Sequence, residues 1–179
     1  MVNQEQVLEI LHAVGEKITE EKLFLTELDN VIGDGDHGIN LARGFAEIVK
    51  ERPMMEGKDI GTMLKTAGMA LVSTVGGASG PLYGTAFMQA GKALAGKTEL
   101  DAQDLVTILD AFVAGVQLRG KSVAGEKTLL DAMIPARDAV KAALDAGKSA
   151  KDALVDGVAA AEQGVAYTKT IIATKGRAS

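Results

Sequence analysis

The sequence predicts an all-α fold, with seven antiparallel amphipathic helices in one domain that covers residues 1–179. Apolar residues recur at spacings of three and four, as in Val7, Leu11, Val14 and Ile18, and this spacing returns along nearly the whole chain. No stretch of four or more residues alternates convincingly between apolar and polar side chains, as a half-buried strand does. The connections between helical stretches are short, which favours antiparallel neighbours.

The first three helices each have a local signal. The range 3–28 carries the apolar series given above, and 37–50 follows a loop rich in glycine and aspartate. The range 59–75 begins at Asp59, whose carboxylate can accept from the free N–H groups of a helix start, and it ends at a pair of glycines.

The last four helices follow the same rules. The range 81–95 starts with a proline, which is tolerated in a first turn, and 101–118 starts with an aspartate in the capping position. The range 127–145 contains Pro135, which should bend that helix. The last helix, 149–174, has a periodic apolar series: Ala150, Ala153, Leu154, Val158, Ala161 and Val165.

Composition excludes several classes of function. The net charge of −5 argues against nucleic acid and anionic membranes as main partners. No run of 18 apolar residues and no signal-peptide pattern is present, so we expect a cytoplasmic protein without a membrane contact. The absence of cysteine excludes disulfides and zinc–thiolate sites.

Three aspartates, Asp29, Asp34 and Asp36, lie among three glycines between the first two predicted helices. Like charges held this close repel unless a cation lies between them, and an all-oxygen ligand set suits hard metals such as magnesium. Because magnesium usually completes its shell with phosphate oxygens, this loop indicates a nucleotide site. An EF-hand is excluded because the sixth and twelfth loop positions, counted from Asp34, are Ile39 and Phe45. A helix cap explains at most one of the aspartates.

His37 follows the acidic residues at the start of a predicted helix, beside Gly38 and Asn40. It is a candidate phosphoacceptor, a candidate hydrogen-bond donor to phosphate, or an ordinary helix residue. Its position favours contact with an anion through side-chain and backbone donors. His12, the second histidine, is interpreted as structural.

Three further segments contain closely spaced glycines. The run 76–81 contains Ser79 and three glycines before a helix, which suits a phosphate site better than a plain turn. The run 91–98 matches the Walker A pattern, but a P-loop must follow a buried strand and this run follows helix-forming residues. The run 118–128, which leads into an apolar helix face, fits either an adenine contact or a turn over the core.

Four segments, taken together and in this order, resemble the nucleotide-binding L subunit of the dihydroxyacetone kinases: 32–38, 76–84, 125–132 and 175–179. The resemblance runs from about residue 23 to the C-terminus. It implies a barrel of seven to eight antiparallel amphipathic helices with the nucleotide at one end. The helical pattern described above agrees with that fold.

The resemblance also implies the ligands of the site. Asp29, Asp34 and Asp36 would hold two magnesium ions that bridge the nucleotide phosphates. The positions that match nucleotide-contacting residues of the family are His37, Gly38, Ile39, Asn40, Ala78, Ser79, Gly120, Leu129 and Arg177. No residue of this chain is expected to act as a general base, because phosphoryl transfer needs positioning and charge neutralisation instead.

In that family, short free-standing L chains keep ADP as a cofactor, whereas L domains fused behind a ketone-binding domain use ATP. This chain starts at Met1 without a preceding domain, so we expect the ADP-dependent type. Its partners would be a phosphohistidine-bearing M subunit of the phosphotransferase system and a dihydroxyacetone-binding K subunit. The alternatives are an ATP-dependent kinase domain and a metal-dependent regulatory module. The family usually continues beyond the 175–179 motif into a further loop and helix, and we expect that segment to be missing here.

Overall fold

Helices form almost all of the regular structure in the computed structural model, which describes residues 1–179. The elements in chain order are β1 (Val2–Asn3), α1 (Gln4–Glu20), α2 (Lys22–Asn30), α3 (His37–Lys50), α4 (Arg52–Met55), α5 (Ile60–Thr74), α6 (Ser79–Ala93), β2 (Glu99–Leu100), α7 (Ala102–Gly120), α8 (Leu130–Asp145) and α9 (Ala150–Thr168). The all-α prediction is confirmed. No helix combines the length and the apolar character that a membrane span requires.

The count of seven to eight helices is wrong, since the structure has nine. The predicted helix 3–28 is two helices, because the backbone leaves helical geometry at Glu21 (φ −86°, ψ 1°). Helix α4 is a single turn of four residues, too short to produce an apolar period. The strands β1 and β2 form an antiparallel pair of two residues each, and strands of that length cannot show an alternating pattern.

Two other boundaries differ from the prediction by three residues or more. Helix α8 starts at Leu130 and not at residue 127, since Lys127 has a φ of +59° that no right-handed helix contains. Helix α9 ends at Thr168, six residues before the predicted end, and residues 169–179 form an irregular C-terminal arm. Helix α8 continues through Pro135, which therefore lies in its interior as predicted.

The main core lies between α1, α3, α5 and α6. Two edge-to-face aromatic pairs run through it: the ring centroids of Phe45 and Phe87 are 6.3 Å apart, and those of Phe87 and Phe112 are 4.8 Å apart. Helices α5 and α6 approach each other through glycine. A Cβ atom at Gly68 would lie 2.7 Å from the carbonyl oxygen of Gly84, so neither position has room for a side chain.

The apolar face of α9 is not the one that spacing predicted. Leu154, Val158 and Val165 are 46%, 61% and 54% exposed. The side of α9 that packs on α8 is formed by small residues, among them Gly157 and Gly164. A Cβ atom at Gly164 would lie 2.1 Å from the carbonyl oxygen of Asp131, and this close approach explains why small residues occupy the contact.

The antiparallel arrangement gathers the functional motifs at one end of the helices. This end, called the loop end below, contains the C-termini of α2, α5, α7 and α9 and the N-termini of α3, α6 and α8. The loops 31–36, 75–78 and 121–129 therefore lie on one side of the molecule. Each helix N-terminus there contributes unpaired N–H groups and a partial positive charge.

The Walker-like run lies at the opposite end, and the interpretation that it is not a P-loop is confirmed because helix α6 precedes it. Its residues hold elements together. The N–H of Gly96 donates to Oδ1 of Asp59 at 2.9 Å, and the N–H of Ile60 donates to the carbonyl of Lys97 at 2.8 Å. The ammonium group of Lys97 contacts the carboxylate of Asp104 at the start of α7.

Replacing Lys97 with alanine is expected to lower the free energy of unfolding by about 1 kcal/mol and to leave nucleotide affinity unchanged. Burial alone would raise the pKa of the Asp104 carboxyl, but hydrogen bonds from Lys97 and from the backbone N–H of Asp101 hold that pKa below its ordinary value. The contribution of the pair is therefore present above about pH 4 and is lost as the pH falls through the lowered pKa. Urea unfolding of both proteins at pH 7 and pH 3 measures this, and a loss of nucleotide binding in Lys97→Ala contradicts the structural role.

Candidate nucleotide and metal site

Three carboxylates meet at the loop end. One oxygen atom from each of Asp29, Asp34 and Asp36 lies within 4.8 Å of the others, with Asp29 half-buried and the other two exposed. Asp29 belongs to the last turn of α2, and the other two aspartates lie in the loop that follows. The structure thus brings together the three residues that the sequence singled out as metal ligands.

Two glycines allow the loop to fold back onto α2. A Cβ atom at Gly33 would lie 1.8 Å from Oδ1 of Asp29. Gly35 has a φ of +70°, and a Cβ atom there would lie 1.9 Å from Oδ1 of Asn30. A larger residue at Gly33 would displace Asp29 from the loop and separate the carboxylates, and one at Gly35 would strain the backbone of the loop and collide with Asn30.

Asp29 binds the backbone of the loop as well as facing the other two acids. Its Oδ2 atom accepts from the N–H of Asp36 at 3.0 Å and from the N–H of His37 at 3.3 Å. Burial alone would raise the pKa of this carboxyl, but the donated N–H groups of Asp36, His37 and Gly35 bring the pKa below its ordinary value. Asp29 therefore stays ionised at neutral and mildly acidic pH, as a cation ligand must.

A capping role does not account for Asp36. It precedes α3 but makes no side-chain hydrogen bond to the start of that helix. Helix α6 begins at Ser79, and the residue before it, Ala78, likewise provides no side-chain cap. Asp29 accepts from the first N–H of α3, at His37, but the N–H groups that follow it and those at the start of α6 have no side-chain cap. These N–H groups are available for an anion next to the carboxylates, an arrangement that suits a metal-bound phosphate group.

The starts of α3 and α6 are in direct contact. The Oγ atom of Ser79 lies 3.2 Å from Nδ1 of His37. Asn40, which is buried, accepts from the guanidinium of Arg43 at 2.7 Å, and a Cβ atom at Gly76 would lie 3.3 Å from its amide nitrogen. The acid loop and the 76–81 segment, which are about 40 residues apart in the chain, therefore form one site.

An apolar border lies on the side of α6 that faces α7 and α8. A Cβ atom at Gly120 would lie 3.1 Å from Cδ2 of Leu82. Leu82 and Leu129 both pack against the apolar cluster formed by Ala86, Val113, Val116 and Leu130. Since Leu82 is in the same first turn as Ser79, the border adjoins the polar site. Ile39, in the first turn of α3, is 52% exposed.

Arg177 comes to the site from the C-terminal arm. Its Nη2 atom donates to Oδ2 of Asp34 at 2.6 Å, across 143 positions of sequence. The arm is held at the 121–129 loop, where the N–H of Thr174 donates to the carbonyl of Glu126 at 3.3 Å. Arg177 therefore faces a candidate metal ligand, and it provides the site with a cationic group.

Comparison with known proteins shows the family of this chain. The family model described as the DAK2 domain matches residues 31–179, which include the three loops of the site. This chain belongs to the DAK2 domain family. It is 44% identical over 177 residues to the PEP-dependent dihydroxyacetone kinase 1, ADP-binding subunit DhaL, of Listeria innocua, covering 99% of this chain and 83% of that protein.

A second relative of this DAK2 domain is the PEP-dependent dihydroxyacetone kinase, ADP-binding subunit DhaL, of Escherichia coli. It is 38% identical over 178 residues, which cover 99% of this chain and 85% of the relative. Among solved structures, the dihydroxyacetone kinase of C. freundii in its native form matches with a TM-score of 0.64 and 24% identity. That match covers 92% of this chain and 33% of the other, and it shows the fold alone.

Sequence reasoning missed one residue at the edge of this DAK2 site. Asp131, in the first turn of α8, is only 4% exposed, and its two carboxylate oxygens accept from the N–H groups of Gly125 and Thr128. A signal was present, since a threonine followed three residues later by an acidic residue is typical of a helix start. The pair Thr128 and Asp131 has this spacing.

Proposed function

We propose that residues 1–179 form one L-type domain, the ADP-binding subunit of a dihydroxyacetone kinase that depends on the phosphotransferase system. The observation that carries the proposal is the meeting of three carboxylates with the starts of two helices, α3 and α6, whose N-cap residues make no side-chain capping bond. A diphosphate with bound magnesium needs both kinds of group, anionic oxygens for the metal and N–H donors for the phosphate. The names of the two relatives, both ADP-binding subunits, support the same ligand.

The donor set fits magnesium. Asp29, Asp34 and Asp36 would hold this metal, since all their ligand atoms are oxygens and no softer ligand atom belongs to the cluster. Two ions is the number that the family resemblance implies. Magnesium supplies charge neutralisation on the transferred phosphoryl group and on the diphosphate that carries it. The N–H groups at the start of α6 and the hydroxyl of Ser79 would orient the phosphate oxygens.

The nucleoside would lie toward the apolar border. Leu129 and Gly120 flank Leu82 there, and a flat ring can cover apolar side chains without leaving polar groups unpaired. His37, Gly38, Ile39 and Asn40 would line the phosphate and ribose side, and Ala78 would offer backbone contacts. Arg177 would reach over the nucleotide from the C-terminal arm, where its guanidinium already faces the acid loop.

Transfer of a phosphoryl group between proteins requires that the donor and acceptor proteins bind at the loop end. Apolar side chains of α2 and of the loop that follows it are exposed: Phe24 is 54%, Leu28 is 57% and Ile32 is 59% accessible. Such a patch next to a polar site is typical of a protein-binding surface. We propose that a phosphohistidine-bearing M subunit and a dihydroxyacetone-binding K subunit use this end in turn.

Reconstitution tests the proposal. The purified chain is combined with magnesium, ADP in less than stoichiometric amount relative to substrate, a K subunit and the phosphohistidine donor system of a characterised relative. We expect dihydroxyacetone phosphate to form for many turnovers per ADP, because ADP is regenerated and not consumed. Formation of product with ATP and the K subunit alone would instead identify an ATP-dependent kinase, and a chain that binds neither nucleotide contradicts both functions.

A further inference from the structure

The buried carboxylate of Asp131 has no cationic partner, and both of its oxygens accept hydrogen bonds from the backbone of the 121–129 loop. Oδ1 accepts from the N–H of Gly125, and Oδ2 accepts from the N–H of Thr128 at 2.8 Å. Only 4% of the residue is exposed. A buried charge is costly unless it makes strong hydrogen bonds, so the two backbone donors account for the presence of an aspartate here.

The loop that Asp131 binds contains two residues in the left-handed region of backbone conformation. Gly125 has a φ of +87°, and Lys127, which carries a side chain, has a φ of +59°. A non-glycine residue in the left-handed region costs about 1 kcal/mol or more. The two hydrogen bonds that Asp131 accepts span this stretch, one from a residue before Lys127 and one from the residue after it, and so fix the conformation of the loop.

The same loop carries both the apolar border and the attachment of the C-terminal arm. Leu129 follows the residue bound by Oδ2, and it contributes to the border. Between the two bound positions, the carbonyl of Glu126 accepts from Thr174, and the ammonium of Lys127 donates to the carbonyl of Ile171 at 3.3 Å. Asp131 therefore supports the surface beside the nucleoside and the base of the arm that ends near Arg177.

We propose that Asp131 is a positioning residue for the nucleoside half of the nucleotide, an inference that rests on the proposed function. Its carboxylate makes no hydrogen bond or ion pair with the acid loop or with the start of α6. Its loss therefore changes how firmly ADP is retained, while the binding of a diphosphate with magnesium is preserved. A residue with only a general structural role would affect both ligands alike.

The test compares Asp131→Asn with the unchanged protein for two probes in the presence of magnesium, ADP and inorganic pyrophosphate, by isothermal titration calorimetry. In the variant, the amide group of asparagine can accept from only one of the two N–H groups. We expect the Kd for ADP to rise about tenfold or more and the release of ADP to quicken, with the Kd for pyrophosphate unchanged within about twofold. Asp138→Asn, an exposed position on the same helix, serves as the matched control and should change neither affinity.

A second variant keeps the test decisive if Asp131→Asn does not fold. Gly125→Ala adds a methyl group where no atom lies within 4 Å, so it disturbs the left-handed backbone of the loop without touching the core. We expect the same selective loss of ADP affinity, by a few-fold. Unchanged ADP affinity in the variants, or an equal loss for both probes, overturns the positioning role. If the unchanged protein binds neither probe, the proposed function itself fails, and the inference falls with it.

Discussion

Asp34→Asn is expected to reduce phosphoryl transfer to dihydroxyacetone by about 100-fold or more. The substitution keeps the shape of the side chain but removes one of the three negative charges that surround the candidate metal position. Asp34 is 53% exposed, so folding should be preserved and the effect confined to the site. Initial rates measured over a range of magnesium concentrations test this, and the variant should require far more magnesium for half-maximal rate.

Thermal unfolding provides an independent measure of the same change. The melting temperature of the unchanged protein should rise when magnesium and ADP are added together, and the melting temperature of Asp34→Asn should not. Asp145→Asn is the matched control, since Asp145 is exposed at the C-terminus of α8 and distant from the loop end. A variant with normal magnesium dependence and a normal ligand-induced gain would exclude Asp34 as a metal ligand.

Gly38→Ala is expected to abolish the binding of ADP with magnesium and to lower the free energy of unfolding by about 1–3 kcal/mol. A Cβ atom at this position would lie 1.9 Å from the carbonyl oxygen of Lys22 and 2.7 Å from Oγ1 of Thr26. Backbone cannot give way as a flexible side chain does, so α2 must move away from α3. Asp29 lies at the end of α2 and would be carried away from the other two aspartates.

Calorimetric titration with ADP and magnesium, together with urea unfolding, measures both effects. Gly15→Ala is the matched control, because the new Cβ atom would meet Phe45 at 3.5 Å, an ordinary van der Waals distance. That substitution should leave binding unchanged and stabilise α1 by up to about 1 kcal/mol through helix propensity. Normal binding in Gly38→Ala would mean that the position of α2 is irrelevant to the site.

Local patterns predicted the helices well where sequence and packing agree. Helix α3 was predicted with its observed bounds, 37–50, because a glycine-rich loop precedes an unambiguous apolar face. The break at Glu21 was missed because the residues around it are good helix formers and no glycine or proline marks the position. The break comes from tertiary structure: α2 packs on α3 at Gly38, where the two backbones come close.

The face of α9 was mispredicted for a related reason. Periodicity assumes that the large apolar residues of a helix face its neighbour, but the close approach of Gly164 to α8 requires the smallest residues at the contact. Leu154 and Val158 are therefore on the outer side. No rule based on hydrophobicity alone can distinguish these two arrangements.

In the candidate site too, the part formed by neighbouring residues was predicted from the sequence, and the part formed by distant residues was not. The acid loop is contiguous in sequence, so the residue types and their spacing were enough to predict its chemistry. The contact between Arg177 and Asp34 joins positions 143 residues apart, and no spacing rule reaches that far; only the family resemblance pointed to the arginine. Its observed partner, an acid-loop carboxylate, was not part of that expectation.

The separation of the two ends of the molecule has a practical consequence for engineering. The ion pair between Lys97 and Asp104 supports the fold at the end that carries none of the proposed ligands. Enzymes often lose activity when they are made more thermostable, because active sites depend on strained or mobile groups. Here, we expect additional charge pairs or proline substitutions near β2 to raise heat resistance with little trade-off against turnover, since the groups they affect lie a full helix length from the proposed phosphate site.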